Sequence, residues 1–99
     1  MDRFVFEGFL PVKKGRKSRL ERLRAETRTA ILYESPYRVV GTIRDILEQL
    51  GDRKVAVARE LTKKFEEVER GPASEVLRRL ERKTPRGEYV ILIAGTEES

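Results

Sequence analysis

The sequence predicts an α/β fold, a mixed β-sheet of about five strands covered by about three helices in the order β-α-β-α-β-β-α-β. Three observations lead there. Compact β-branched and aliphatic runs, such as Thr29–Tyr33 and Tyr89–Ala94, have the length of buried strands. Between them lie stretches whose apolar residues recur every three or four positions, as one face of a helix requires. Glycine and proline separate the two kinds of segment rather than interrupting them.

Taken in order, Arg3–Leu10 (RFVFEGFL) alternates aromatic and aliphatic residues and stops at Pro11, which marks a strand leaving into a loop. Lys13–Lys17 surround Gly15 and form a basic loop. Ser18 is placed to cap a short helix running to about Glu26, with Leu20 and Leu23 inward. Thr29–Tyr33 is the second strand. Ser35 suits an N-cap and Pro36 a first helical position, where its missing N–H is no loss. Val39, Val40, Ile43, Ile46, Leu47 and Leu50 then line one helical face, and Gly51 ends it. Arg53–Leu61 is a strand, and Phe65–Arg70 a shorter strand or extended arm. Pro72 to about Lys83 is a helix with Val76, Leu77 and Leu80 facing the core. Pro85-Arg86-Gly87 turns the chain into Tyr89–Ala94, its most hydrophobic strand. Residues 1–99 make a single domain with no internal repeat or linker.

Composition narrows the chemistry. Of 99 residues, 38% are hydrophobic and 39% charged, so the positions outside one core are mostly solvated charge. No stretch approaches the ~18 apolar residues of a membrane helix, and a cytoplasmic protein without membrane contact is expected. With neither cysteine nor histidine, the chain has no thiolate nucleophile, no imidazole base and no expected metal site. Gln49 is the only side-chain amide, a bias that fits ion-pair networks of the thermophilic kind. The net charge is +5, and much of it is local. Lys13, Lys14, Arg16, Lys17, Arg19, Arg22 and Arg24 face a single acid, Glu21, within that stretch. Such a block suits a polyanionic partner, or is simply a solvated helix face.

The corner at residues 33–38, YESPYR, is more than a turn needs. Strand end, cap and proline account for Ser35 and Pro36, whereas Arg38 falls in a first turn, where the helix dipole opposes a cation by ~0.3–1 kcal/mol. Either Glu34 pairs with Arg38, or the corner offers its N–H groups and side chains to a ligand. A second charged corner, RELTKKFEE from Arg59, reads on spacing alone as surface ion pairs. The scattered glycines form no nucleotide-binding fingerprint.

Together FEGFLPVKKG (6–15), YESPYR (33–38), RELTKKFEEVERG (59–71) and GEYVILIAG (87–95) resemble the C-terminal domain of bacterial 16S ribosomal RNA (cytidine 2′-O)-methyltransferases. Those enzymes belong to the tetrapyrrole (corrin/porphyrin) methylase superfamily. The resemblance implies a two-domain, homodimeric enzyme using S-adenosylmethionine, held mainly by an N-terminal donor-binding domain that is absent here. It further implies that this C-terminal half-domain is inactive alone. Glu34, Ser35, Pro36, Tyr37 and Arg38, with Arg59, Glu60, Leu61 and Thr62, would line the donor cleft. Lys13, Lys14, Arg16 and Lys17 would hold 16S ribosomal RNA or the small subunit. The family usually has histidine where this chain has Tyr37, and a tyrosine is no base near pH 7. The resemblance assigns no catalytic residue. A tetrapyrrole methylase of the same superfamily, a stand-alone RNA-binding module and a dimerisation module are the alternatives.

Overall fold

The computed structural model describes residues 3–61 and 64–96. Five strands form one sheet: β1 (Phe4–Phe9), β2 (Thr29–Glu34), β3 (Lys54–Leu61), β4 (Lys64–Pro72) and β5 (Glu88–Ile93), in the spatial order β1-β2-β5-β3-β4. β1 and β2 are parallel, and every other neighbouring pair is antiparallel. A parallel pair needs a crossover. It is supplied by α1 (Arg16–Arg22), which tightens into a 3-10 turn at Leu23–Ala25. The other helices are α2 (Val39–Leu50) and α3 (Ala73–Glu81), and α2 packs against both α1 and α3. The sheet is mixed, as the sequence predicts, with β4 a full strand rather than a short arm.

All three helices cover one face. Along β2 and β5 burial alternates, so Ala30, Leu32, Ile91 and Ile93 point to the helices. They meet Val39, Ile43 and Ile46 of α2, Val76 and Leu80 of α3, and Leu20 and Leu23 beside α1. The expected stripe of α2 is thus the centre of the core. Among the described residues the opposite face has no helix over it. Cross-strand register places Phe6, Ile31, Leu92, Ala56 and Arg70 in one row there, and Phe9, Tyr33, Val90, Ala58 and Val68 in the next. Phe6 and Phe9, three apart, share that face because the ladder shifts register between Phe6 and Gly8, with Gly8 at φ 67°.

Three helix starts differ from expectation for local reasons. Gly15, at φ 84°, precedes α1, and Ser18 Oγ donates back to the Gly15 carbonyl rather than capping. α2 begins at Val39 with Arg38 as its N-cap, because residues 35–38 first close a turn in which Arg38 N–H donates to Ser35 O. Pro72 ends β4, and α3 starts at Ala73, its second N–H and the Ser74 hydroxyl both donated to Asp52. Asp52 therefore caps α3 from across the chain and is held below the usual carboxylate range, chiefly by that Ser74 N–H.

Candidate functional site

β2 carries the chain to the corner through Glu34, whose side chain turns inward and is only 2% exposed. A buried carboxylate needs donors, and the corner supplies three. Ser35 N–H donates to Oε1 at 2.8 Å, Arg38 Nε to Oε1 at 3.2 Å, and Thr42 Oγ1 to Oε2 at 2.6 Å. The pairing of Glu34 with Arg38 that the spacing allows is therefore real, and it helps explain a cation at the start of α2. Arg38 remains half exposed and Tyr37 stands 93% exposed above the turn.

The same carboxylate connects to the basic loop. Arg16 Nη2 donates to Thr42 Oγ1 at 2.9 Å, and Nε and Nη2 both reach Asp45 Oδ2, at 3.0 and 2.8 Å. Arg16 Nη1 also donates to the Pro11 carbonyl at 3.2 Å. Four of its donor contacts are spent inside the protein, with the side chain 16% exposed, so Arg16 fastens the loop to α2. Of the other bases in the block, Arg19 pairs with Glu7 at 2.9 Å and Arg24 donates to the Gln49 carbonyl. Lys13, Lys14, Lys17 and Arg22 are exposed and make no ion pair among the described residues. Lys13 and Lys17 border a cavity of about 220 Å³ shared with Asp45 and Gln49. Thr42 and Asp45, absent from the sequence-based candidates, had one available signal: Thr42 is a polar side chain on the apolar stripe of α2.

The second charged segment arrives beside the first. Glu34 is the register partner of Tyr89, and Tyr89 of Arg59, so the two segments flank one buried tyrosine at one end of the sheet. Two strand spacings, about 10 Å, separate them. Arg59 Nη2 lies 3.5 Å from Glu67. Its Nε and the Ser35 hydroxyl are buried without a hydrogen-bond partner among the described residues. An unmet buried polar atom costs about 1–3 kcal/mol, and here there is one on each segment. On the opposite face, Glu60 and Glu88 with Phe9, Tyr33, Tyr89 and Val90 border a cavity of about 390 Å³. Leu61 is described only as the last position of β3, and Thr62 lies outside the described residues.

A mixed sheet with its helices on one side, and two charged segments meeting at one end, define an α/β domain with one candidate site. Residues 2–77 match the Tetrapyrrole (Corrin/Porphyrin) Methylases, and the chain belongs to that family. It is 46% identical to "Ribosomal RNA small subunit methyltransferase I" of Thermotoga maritima over 96% of this chain and 43% of that protein. To the protein of the same name from Synechocystis it is likewise 46% identical, over 95% of this chain and 34% of that protein. The chain thus spans less than half the length of these relatives. Among solved structures, a cobalamin-biosynthetic cobalt precorrin-4 methyltransferase superposes with a TM-score of 0.64 at 18% identity, covering 94% of this chain and 40% of that one. That likeness concerns the fold.

Proposed function

We propose that this chain is the C-terminal part of an S-adenosylmethionine-dependent methyltransferase acting on the ribose 2′-hydroxyl of a cytidine in 16S ribosomal RNA. The observation that carries the reading is the meeting of residues 33–38 with Arg59 and Glu60 beside Tyr89, one hydrogen-bond chain away from an exposed lysine loop. The two relatives' names point to small-subunit ribosomal RNA. The unpartnered Ser35 Oγ and Arg59 Nε suit a site that receives polar groups from a ligand or from the rest of a longer protein.

S-adenosylmethionine would supply a methyl group on a positively charged sulfur. The chain's own contribution is placement, which in an in-line transfer can supply several kcal/mol. Glu34, fixed by three donors, sets the geometry of Ser35–Arg38, so these residues form a preorganised wall of the donor cleft. Arg59 and Glu60 form the neighbouring wall. Lys13, Lys14 and Lys17 bind RNA phosphates, and Arg16 holds their loop at a fixed distance from that wall. No residue is assigned as base, and the chain alone is inactive.

Isothermal titration tests the division of labour. S-adenosylmethionine should bind this chain weakly or not at all, and bind once the remaining part of the longer protein is added. Tight binding by the chain alone would refute it. Methylation of a tetrapyrrole but not of 16S RNA by the completed protein would refute the substrate.

A further inference from the structure

Tyr37, at 93%, is the most exposed large hydrophobic side chain among the described residues, and it stands on a rigid base. Pro36 before it has a fixed φ. The Arg38 N–H closes the turn on the Ser35 carbonyl at 3.1 Å, and Glu34 holds both Ser35 N–H and Arg38 Nε. The other two tyrosines are used in packing. Tyr33 meets Phe6 and Phe9 edge-on, and Tyr89 is buried in the core. The Tyr37 ring has no aromatic neighbour among the described residues, so a held backbone presents a free ring to solvent.

Its surroundings are cationic. Arg38 spends Nε on Glu34 and leaves both Nη groups without a hydrogen-bond partner among the described residues, on a side chain 45% exposed. Arg16 ties the lysine loop to Thr42 and Asp45 of α2. Lys13 and Lys17 border a cavity with that same Asp45, which lies roughly 10 Å along the helix from the corner. A free ring, a free guanidinium edge and a lysine loop on one frame are the parts that hold an unpaired nucleic-acid strand. Its bases stack on rings and its phosphates meet cations. The sulfonium donor makes a poorer match to this corner, because its reacting sulfur is itself positive.

We infer that the Tyr37 ring stacks on an unpaired base of the RNA substrate, while an Arg38 Nη group meets the adjoining phosphate. The inference rests on the RNA-methylation reading above and adds to it a residue that positions the strand. Lysines hold a backbone without regard to which nucleotide they meet. A ring fixed at the end of β2 sets where one base sits relative to the donor wall. Stacking needs a ring face and not a hydroxyl, so phenylalanine and tryptophan serve at this position and alanine does not.

The test uses the completed protein and a 16S RNA fragment, with binding measured in the absence of S-adenosylmethionine. Tyr37→Ala should weaken RNA binding about 5- to 150-fold, the loss of one base–aromatic stack. Tyr37→Phe and Tyr37→Trp should stay within about threefold of wild type. The dependence of binding on salt should keep its slope in Tyr37→Ala, because no phosphate contact is removed. In turnover the KM for RNA should rise and that for S-adenosylmethionine should not. Tyr37→Trp also gives this chain its only tryptophan, whose emission, read against wild type as background, should be quenched by RNA and not by the donor alone. Denaturation midpoints should match wild type, since so exposed a ring supports little packing. Unchanged RNA affinity in Tyr37→Ala, a phenylalanine variant as weak as the alanine one, or a loss confined to the donor would overturn the inference. A wild-type protein that binds RNA through Tyr37 yet transfers no methyl group would support the stack and count against the function proposed above. One with no RNA affinity would overturn both.

Discussion

Removing the Thr42 hydroxyl isolates the connection between the basic loop and the strand-to-helix corner. Thr42→Val keeps the side chain's shape but deletes the donor to Glu34 at 2.6 Å and the acceptor of Arg16 at 2.9 Å. A hydrogen bond involving a charged group contributes about 1.5–3 kcal/mol. Arg16 keeps Asp45 and the Pro11 carbonyl, so its share of the loss is small. Glu34 keeps Ser35 N–H and Arg38 but is too buried to recruit water freely. The expected loss is therefore about 2–4 kcal/mol, a large part of the stability of a small domain. Urea denaturation reads it as a lower midpoint at constant slope. Thr42→Ser, which keeps the hydroxyl, should lose no more than about 1 kcal/mol. A double-mutant cycle of Thr42→Val with Glu34→Gln should show coupling of at least about 1 kcal/mol. A valine variant within about 0.5 kcal/mol of wild type would refute the claim that this hydroxyl holds a buried carboxylate in place.

Gly95→Ala should destabilise the domain by about 3 kcal/mol or more, because a Cβ there would lie 2.0 Å from the Thr27 carbonyl oxygen and force the backbone apart; calorimetry measures it. Replacing Lys13, Lys14 and Lys17 together by alanine should flatten the salt dependence of RNA binding by about two units of log–log slope, whereas Arg16→Gln should leave that slope unchanged. Acid should destabilise the fold between pH 4.5 and about 2. Glu26 is drawn from 4.5 to about 2 by the Arg28 side chain and then its N–H, and Glu69 is lowered chiefly by Lys83. Depressed carboxylates contribute stability above their ordinary values and lose it as pH falls through the folded ones. Arg28→Ala should shrink the acid-induced drop in denaturation midpoint, and an unchanged pH profile would contradict the assignment.

How legible these features are in the sequence follows from how local their causes are. The six apolar positions of α2 announce the helix because one face must be buried, and the packing confirms them. Its start is less legible. Ser35-Pro36 carries the ordinary signature of a cap, yet the helix begins at Val39, since Glu34 reaches forward to take the Ser35 N–H and a turn intervenes. The charge block reads as uniform, but its members separate only in three dimensions. Arg16 and Arg19 reach carboxylates 29 and 12 residues away, while the lysines do not. The adjacency of the corner to Arg59 depends on Tyr89 lying between them, and strand order of that kind leaves no trace in residue spacing. The resemblance brought those segments together before the register did.

The strand formed last in the chain occupies the middle of the sheet. Until Glu88–Ile93 inserts, β1-β2 on one side and the β3-β4 hairpin on the other share no ladder at all. Folding must therefore await that insertion, joining residues some sixty positions apart (Ala30 with Ile93). Such non-local closure is intrinsically slow. During synthesis the two incomplete edges would remain open until β5 leaves the ribosome, a window in which a chaperone, or mispairing with another nascent chain, can compete with the native register.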